Sequence, residues 1–253
     1  MLTFSDAALA RSLARQAGQE LLLLRDKLGF GDPAVLKREG DSRAHELLMS
    51  ALAENRPGDA ILSEEGSGEQ GRTGAARLDA KRVWIVDPLD GTREYSESGR
   101  DDWAVHVALW EDGELAAGAV ALPAQGFVLG TDEPPVTPPQ HGRVKVAVSR
   151  SRPQPFLAEL AEAIDADLVP MGSAGAKTAA VITGKVDAYV HAGGQYEWDS
   201  AAPVAVARSA GLHTSRIDGT DLTYNNADPK LPDLVVCRPQ LSALILKTIA
   251  EVR

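Results

Sequence analysis

The sequence is short of cysteine, of positive charge and of long apolar runs. Cys237 stands alone, so an intramolecular disulfide and a thiolate metal cluster are both excluded and a reducing compartment fits. Lys and Arg number 26 against 36 Asp and Glu, a net charge of −10 that opposes loose association with nucleic acid or an anionic membrane. Small phosphates remain open to it, provided local cations or metal ions reverse the field within one site. The longest aliphatic run near the N-terminus, Leu21 to Leu24, is too short for a signal segment or a membrane span, which predicts a cytoplasmic protein. No repeat or low-complexity tract is present. What is there is ordinary globular composition, 44% hydrophobic and 25% charged over 253 residues, enough for one large domain or two small ones.

Leu9, Leu13, Ala17, Leu21, Leu24 and Leu28 recur at three and four residues, which predicts a helix over 5–28 with Ser5 as its N-cap. A second helix is expected from about Asp41 to Asn55, then strands over 60–63 and 82–87 on either side of a Gly-rich stretch, 66–74, that reads as a mobile loop. Residues 103–130 alternate and predict antiparallel hairpins, making the first half α+β. Beyond the prolines at 134–135 and 138–139, strands and helices alternate to the end, one of the strands expected over 187–191. This divides the chain into an N-terminal subdomain, 1–136, and an α/β C-terminal subdomain, 137–253, with helix and sheet in alternating layers.

Asp87-Pro88-Leu89-Asp90-Gly91-Thr92 follows a buried strand and sets two carboxylates three residues apart at a sheet's carboxyl edge. A turn there lets both side chains and the Leu89 carbonyl converge on a hard cation such as Mg²⁺, while Gly91 and Thr92 offer backbone N–H groups to a phosphate oxygen. The same residues equally make an ordinary β-turn. Ser63-Glu64-Glu65 after the neighbouring strand, and Asp199 in Trp198-Asp199-Ser200-Ala201-Ala202 at a helix start, favour the metal reading by facing the same edge. An aspartyl-phosphate mechanism would use Asp-x-Asp-Gly-Thr, and here the acids are one residue further apart.

These three segments, in order and spacing, resemble the signatures of the inositol monophosphatase superfamily of Mg²⁺-dependent, lithium-sensitive phosphatases. The resemblance implies an αβαβα sandwich and two or three Mg²⁺ ions on Glu64, Asp87, the Leu89 carbonyl, Asp90 and Asp199. It makes Asp41, Thr92 and Glu64 catalytic, Thr92 and Asp41 activating the water for in-line attack without a covalent intermediate. Leu89, Asp90, Gly91, Thr92 and Asp199 would also meet the substrate. Asp41 has a second reading, compatible with the first, as the N-cap of the helix that follows.

Where inositol monophosphatases carry an acid seven positions before the last ligand, this chain has Ala192. Ser173-Ala174-Gly175-Ala176-Lys177 and Val148-Ser149-Arg150-Ser151-Arg152 instead resemble segments of the 3′(2′),5′-bisphosphate nucleotidases, and Asp87 to Ser96 and Trp103 to Leu109 look nearest to the bacterial sulfur-assimilation members of that branch. That resemblance implies hydrolysis of 3′-phosphoadenosine 5′-phosphate to AMP, with Lys177 and Arg152 supplying the cations for the remote 5′-phosphate and Ser149 and Ser173 also meeting the substrate. Arg152 stands where relatives have His, and His191 where many have Arg. The alternatives are a broad-specificity inositol or fructose-1,6-bisphosphate phosphatase, and a catalytically weak nucleotide or metal sensor. The partner is a small phosphorylated nucleotide, with no nucleic acid, no membrane and a homodimer left open. Tyr224 is the candidate neighbour of adenine. His45, His106, His141 and His213 lack ligand spacing and read as structural, three of the four tryptophans read as core, and Cys237 as inert filling.

Overall fold

The computed structural model describes residues 5–68 and 74–253, so part of the predicted 66–74 loop lies outside the described residues. Helix α1 (Asp6–Leu28) starts where expected, Ser5 Oγ accepting from the Ala8 N–H at 3.2 Å, and buries Leu9, Leu13, Ala17, Leu21 and Leu24. Helix α2 (Pro33–Asn55) begins eight residues before the predicted start. Asp32 caps it through the Ala34 and Val35 N–H groups, and Pro33 fills the first turn, where a missing N–H costs nothing. Asp41 is therefore no N-cap; it sits inside α2, one residue past Gly40. A Cβ on Gly40 would lie 2.8 Å from Tyr95 and 3.0 Å from Leu89, so the glycine lets α2 approach that segment closely.

The first sheet has the order β1 (Ala60–Ser63), β2 (Arg82–Asp90), β3 (Ala104–Glu111), β4 (Glu114–Leu122), β5 (Phe127–Gly130), with β1 parallel to β2 and the rest antiparallel. β2 does not stop at Asp87. It continues to Asp90 through a register shift against β3, so Pro88 and Leu89 form an irregularity in a strand where the sequence suggested a turn. The one-turn helix α3 (Thr92–Tyr95) follows.

The second sheet is built from β6 (Val144–Ser149), β7 (Ala166–Met171), β8 (Ala188–Tyr196), β9 (His213–Ser215) and β10 (Lys230–Cys237), in the order β7-β6-β8-β10-β9. β8 runs five residues past the predicted end at His191 because β10 pairs with it as far as Lys230 opposite Tyr196. The three-residue β9 was not foreseen. Helices α4 (Phe156–Ala163), α5 (Ala174–Ile182), α6 (Glu197–Ser209) and α7 (Pro239–Val252) complete the chain.

Three apolar cores join the layers. Helices α1 and α2 cover one face of the first sheet, α5 and α6 are buried between the two sheets, and α4 and α7 cover the far face of the second. The architecture is the expected αβαβα sandwich. Trp84 and Trp103, on predicted strands, are core, Trp110 is only half-buried, and Trp198 on α6 is core as well; Cys237 is also core, and burial pushes its thiol up to about 12, well away from reactivity. Among the described residues no helix is long and apolar enough to cross a membrane.

Candidate metal and phosphate site

Parallel pairing sets Ser63 opposite Val86, and the Glu64 N–H donates to the Val86 carbonyl at 3.2 Å, so Glu64 comes off the end of β1 beside Asp87 of β2. Asp87 Oδ1 accepts the Leu89 N–H at 3.0 Å while its buried Oδ2 has no hydrogen-bond partner. Three residues on, Asp90 accepts N–H bonds from Ala174 (3.3 Å) and Gly175 (2.6 Å) at the start of α5. Asp199, in the first turn of α6, accepts the Tyr196 N–H at 2.7 Å. One carboxylate oxygen from each of Asp87, Asp90 and Asp199 lies within 4.8 Å of the others, and Glu64 interacts electrostatically with Asp87 and Asp90.

The protonation of these acids records their crowding. Burial pushes Glu64 up to about 7, with Asp90, Glu65 and Asp41 adding repulsion. Burial and then Asp90 raise Asp199 to about 7, and burial followed by Glu64, Asp90 and Asp199 holds Asp87 well above the usual carboxylate range. Asp90 alone is lowered: burial opposes its ionisation, but His106, the Gly175 N–H and Lys177 outweigh it. A cluster of hard oxygen donors, mutually repelling and including one buried oxygen without a donor, fits a divalent cation such as Mg²⁺.

Gly91 has φ +85°, and a Cβ there would lie 2.8 Å from Ser173, so only glycine carries the chain from β2 into α3 beside α5. The Thr92 hydroxyl donates to the Leu89 carbonyl at 3.2 Å and also interacts with the Asp41 carboxylate, favouring its ionised form. Burial and Glu65 push Asp41 up to about 7, against Lys37 and Thr92. Asp41 thus stands behind Thr92, at the floor of a neighbouring depression shared with His45 and Glu65.

The facing wall comes from the second half. Lys177 is 4% exposed and is not the surface lysine that a helix position alone suggests. Its ammonium donates to the carbonyls of Gly172 and Ser173, the latter at 2.9 Å, and lies 5.1 Å from the Tyr189 ring centre; burial lowers it to about 8. Ser173 caps α5 through the Ala176 N–H at 2.8 Å, and Ser149 accepts the Arg152 N–H at 3.2 Å. Arg150 is committed to Glu94 (2.6 Å) and Glu97 (2.8 Å). Burial pushes His191 down to about 4 while its Nε2–H donates to the Gly193 carbonyl at 2.7 Å.

A single cavity of about 310 Å³ is lined by Glu64, Asp87, Leu89, Asp90, Gly91 and Thr92 on one side, and by Ser149, Arg152, Ser173, Lys177 and Asp199 on the other. Every predicted site residue except Asp41 lines it. The sequence reading missed Tyr189 and Gln195, also in the wall, and His106, whose Nε2 stands 3.2 Å from Asp90 Oδ2. His106 is thus not merely structural; its signal is its register opposite Asp87, visible only once β2 and β3 are paired. Tyr224 is the reverse error. It is buried between the sheets with its hydroxyl 3.2 Å from Ser200 Oγ, and it does not line the cavity.

The model of the inositol monophosphatase family matches residues 8–253. The chain belongs to this family. The 3′-phosphoadenosine 5′-phosphate phosphatase of Mycobacterium leprae is 48% identical over 261 residues, covering 98% of this chain and 94% of that protein. The 3′(2′),5′-bisphosphate nucleotidase CysQ of Escherichia coli K12 is 28% identical, covering 84% and 91%. Among solved structures, a 2′-AMP-bound inositol monophosphatase II of Staphylococcus aureus superposes with a TM-score of 0.78 at 21% identity, covering 96% of this chain and 93% of that one, a likeness of fold.

Proposed function

We propose that this family member is a Mg²⁺-dependent phosphatase that hydrolyses 3′-phosphoadenosine 5′-phosphate to AMP and inorganic phosphate. The observation that carries the reading is the meeting, in one cavity, of an under-compensated acid cluster and a wall holding Lys177 and Arg152. The 48% identity to 3′-phosphoadenosine 5′-phosphate phosphatases along nearly the whole chain supports the substrate. So does Ala192, buried where inositol phosphatases are expected to present an acid.

Glu64, Asp87, the Leu89 carbonyl, Asp90 and Asp199 would hold two or three ions. Bound there, the cations supply charge neutralisation at the phosphoryl oxygens and an acidified water. Thr92 orients the attacking water through its hydroxyl and passes the proton to Asp41, whose raised affinity suits a general base near neutral pH. The Gly91 and Thr92 N–H groups face the scissile phosphate. Two of the Lys177 ammonium protons are committed to carbonyls, and the third, with Ser149, Arg152 and Ser173, meets the 5′-phosphate. In this reading 1–136 brings most of the metal ligands, and 137–253 contributes Asp199 and the residues that select the substrate.

Phosphate release from 3′-phosphoadenosine 5′-phosphate, 3′-AMP and inositol 1-phosphate, with and without Mg²⁺, tests the proposal. The bisphosphate should be favoured, and Lys177→Met should lower kcat/KM for it by about 10- to 150-fold, the worth of one charge-assisted contact, with a much smaller loss on 3′-AMP. Equal loss on both, or inositol 1-phosphate as the better substrate, would move the assignment to a broad-specificity phosphatase.

A further inference from the structure

The cluster takes Asp87 and Asp90 from β2 and Asp199 from α6, so its dimensions depend on how a helix is held against a strand. One buried side chain spans the two. His106, on β3 opposite Asp87, is fully buried. Its Nδ1 donates to the Trp198 carbonyl at 3.0 Å, one residue before Asp199, and because a carbonyl only accepts, that nitrogen carries a proton. The same nitrogen is 3.9 Å from Asp87 Oδ2. On its other side, Nε2 stands 3.2 Å from Asp90 Oδ2, a short electrostatic contact without the alignment of a hydrogen bond. Helix α5 is shaped around the ring: a Cβ on Gly175 would lie 2.0 Å from Nε2, while the Gly175 N–H donates to Asp90 at 2.6 Å.

We infer that His106 is a positioning residue, a strut between the first turn of α6 and Asp90 that sets the spacing of the acid cluster. The inference goes beyond the proposed function and rests on its metal reading. Buried like charges left to themselves rotate or move apart, and the helix bearing Asp199 has to be held close to β2 against that repulsion. A rigid ring hydrogen-bonded to α6 at one end and packed against Asp90 at the other does this, since the ring cannot move at one contact without moving at the other. Gly175 follows from it, because any larger residue there would displace the ring.

The test is calorimetric Mg²⁺ titration of the metal-free full chain as wild type, His106→Phe, His106→Gln and Gly175→Ala, with thermal unfolding and phosphate release at saturating Mg²⁺ alongside. Removing groups that orient metal-binding carboxylates weakens affinity by about 10- to 100-fold, and His106→Phe should show a loss of that size. His106→Gln should recover part of it. Gly175→Ala, which keeps the histidine but displaces it, should weaken Mg²⁺ binding in the same direction. A purely packing role would lower the unfolding temperature and leave Mg²⁺ affinity at the wild-type value. That result in the Gln and Ala variants overturns the inference even if the Phe variant fails to fold. A wild type that binds no Mg²⁺ would instead defeat the metal reading itself.

Discussion

Glu197 and Asp199 stand two residues apart in the first turn of α6, and the protein treats the two carboxylates in opposite ways. Glu197, fully buried, accepts N–H bonds from Asn225 (2.7 Å), from Asn226 (2.8 Å) and from the Asn226 side chain (2.9 Å). The buried Arg77 guanidinium, bound to Asn225 Oδ1 at 2.6 Å and the Asn226 carbonyl at 2.8 Å, adds a favourable charge, so that burial raises the Glu197 carboxyl against four opposing partners and not with like charges beside it. Asp199 accepts the Tyr196 N–H and otherwise faces Asp90 and Glu64. This chain can therefore supply donors to a buried acid where it needs one neutralised. Around Asp87, Glu64 and Asp199 it withholds them, which is costly unless a cation arrives.

Neutralising Asp87 is the most direct way to break this contrast. Asp87→Asn should lower Mg²⁺-dependent phosphate release by about 10²–10³-fold or more, yet raise the unfolding temperature of the metal-free protein, because it removes a charge that burial and three neighbouring acids oppose. Asp90→Asn should cost activity similarly without that gain, since the Asp90 carboxylate already has the Gly175 and Ala174 N–H groups and His106. Activity near wild type for Asp87→Asn at saturating Mg²⁺ would remove Asp87 from the ligand set.

Next in size is Thr92→Ala, which leaves the acids intact and should lower kcat by about 10²–10⁴-fold with little change in KM, because the hydroxyl acts on water through Asp41. If KM alone rose, Thr92 would be a phosphate clamp. Glu197→Ala sharpens the comparison from the other side. It strands the Asn225 and Asn226 donors and the buried Arg77, so chemical denaturation should show a loss of about 2–4 kcal/mol. The Mg²⁺ midpoint should hold, and a shifted midpoint would mean that the two ends of the α6 turn are not independent.

Much of this was legible in the sequence because local rules and tertiary structure agree there. The 3.6-residue repeat of α1, the alternation of β3 to β5 and the three acid segments each satisfy a short-range pattern, and their placement holds. The errors fall where a distant partner decides. β8 extends beyond His191 because β10 lies beside it, and β2 continues through Pro88 because β3 holds its other side. The start of α2 is the exception, a local signal carried by the Asp32 cap and Pro33 in the first turn. His106 and Tyr224 exchanged roles for a tertiary reason: strand pairing carries the histidine to the acids, and the α6 packing carries the tyrosine into the core.

The smallest effect expected is also the one that reads the comparison without a mutation. In the metal-free fold Glu64, Asp199 and Asp41 keep protons up to about 7, whereas unfolded carboxylates release theirs near 4. Between those values the native state binds more protons than the unfolded one, so this part of the stability is present at low pH and is lost as pH rises through 7. His191 acts in the opposite sense. Held neutral down to about 4, it makes the fold less stable as pH falls below the ordinary histidine value. The total profile mixes both, but Mg²⁺ addresses only the acids, by holding them ionised. The rise in unfolding temperature on adding saturating Mg²⁺ should therefore grow between pH 5.5 and pH 7.5, by about 5 °C for a stability difference near 2 kcal/mol in a chain of this size. Glu197→Gln, outside the cluster, should leave that increment as it is. An increment that does not change with pH would mean that the acids are already ionised without metal, and the contrast with Glu197 would lose its electrostatic basis.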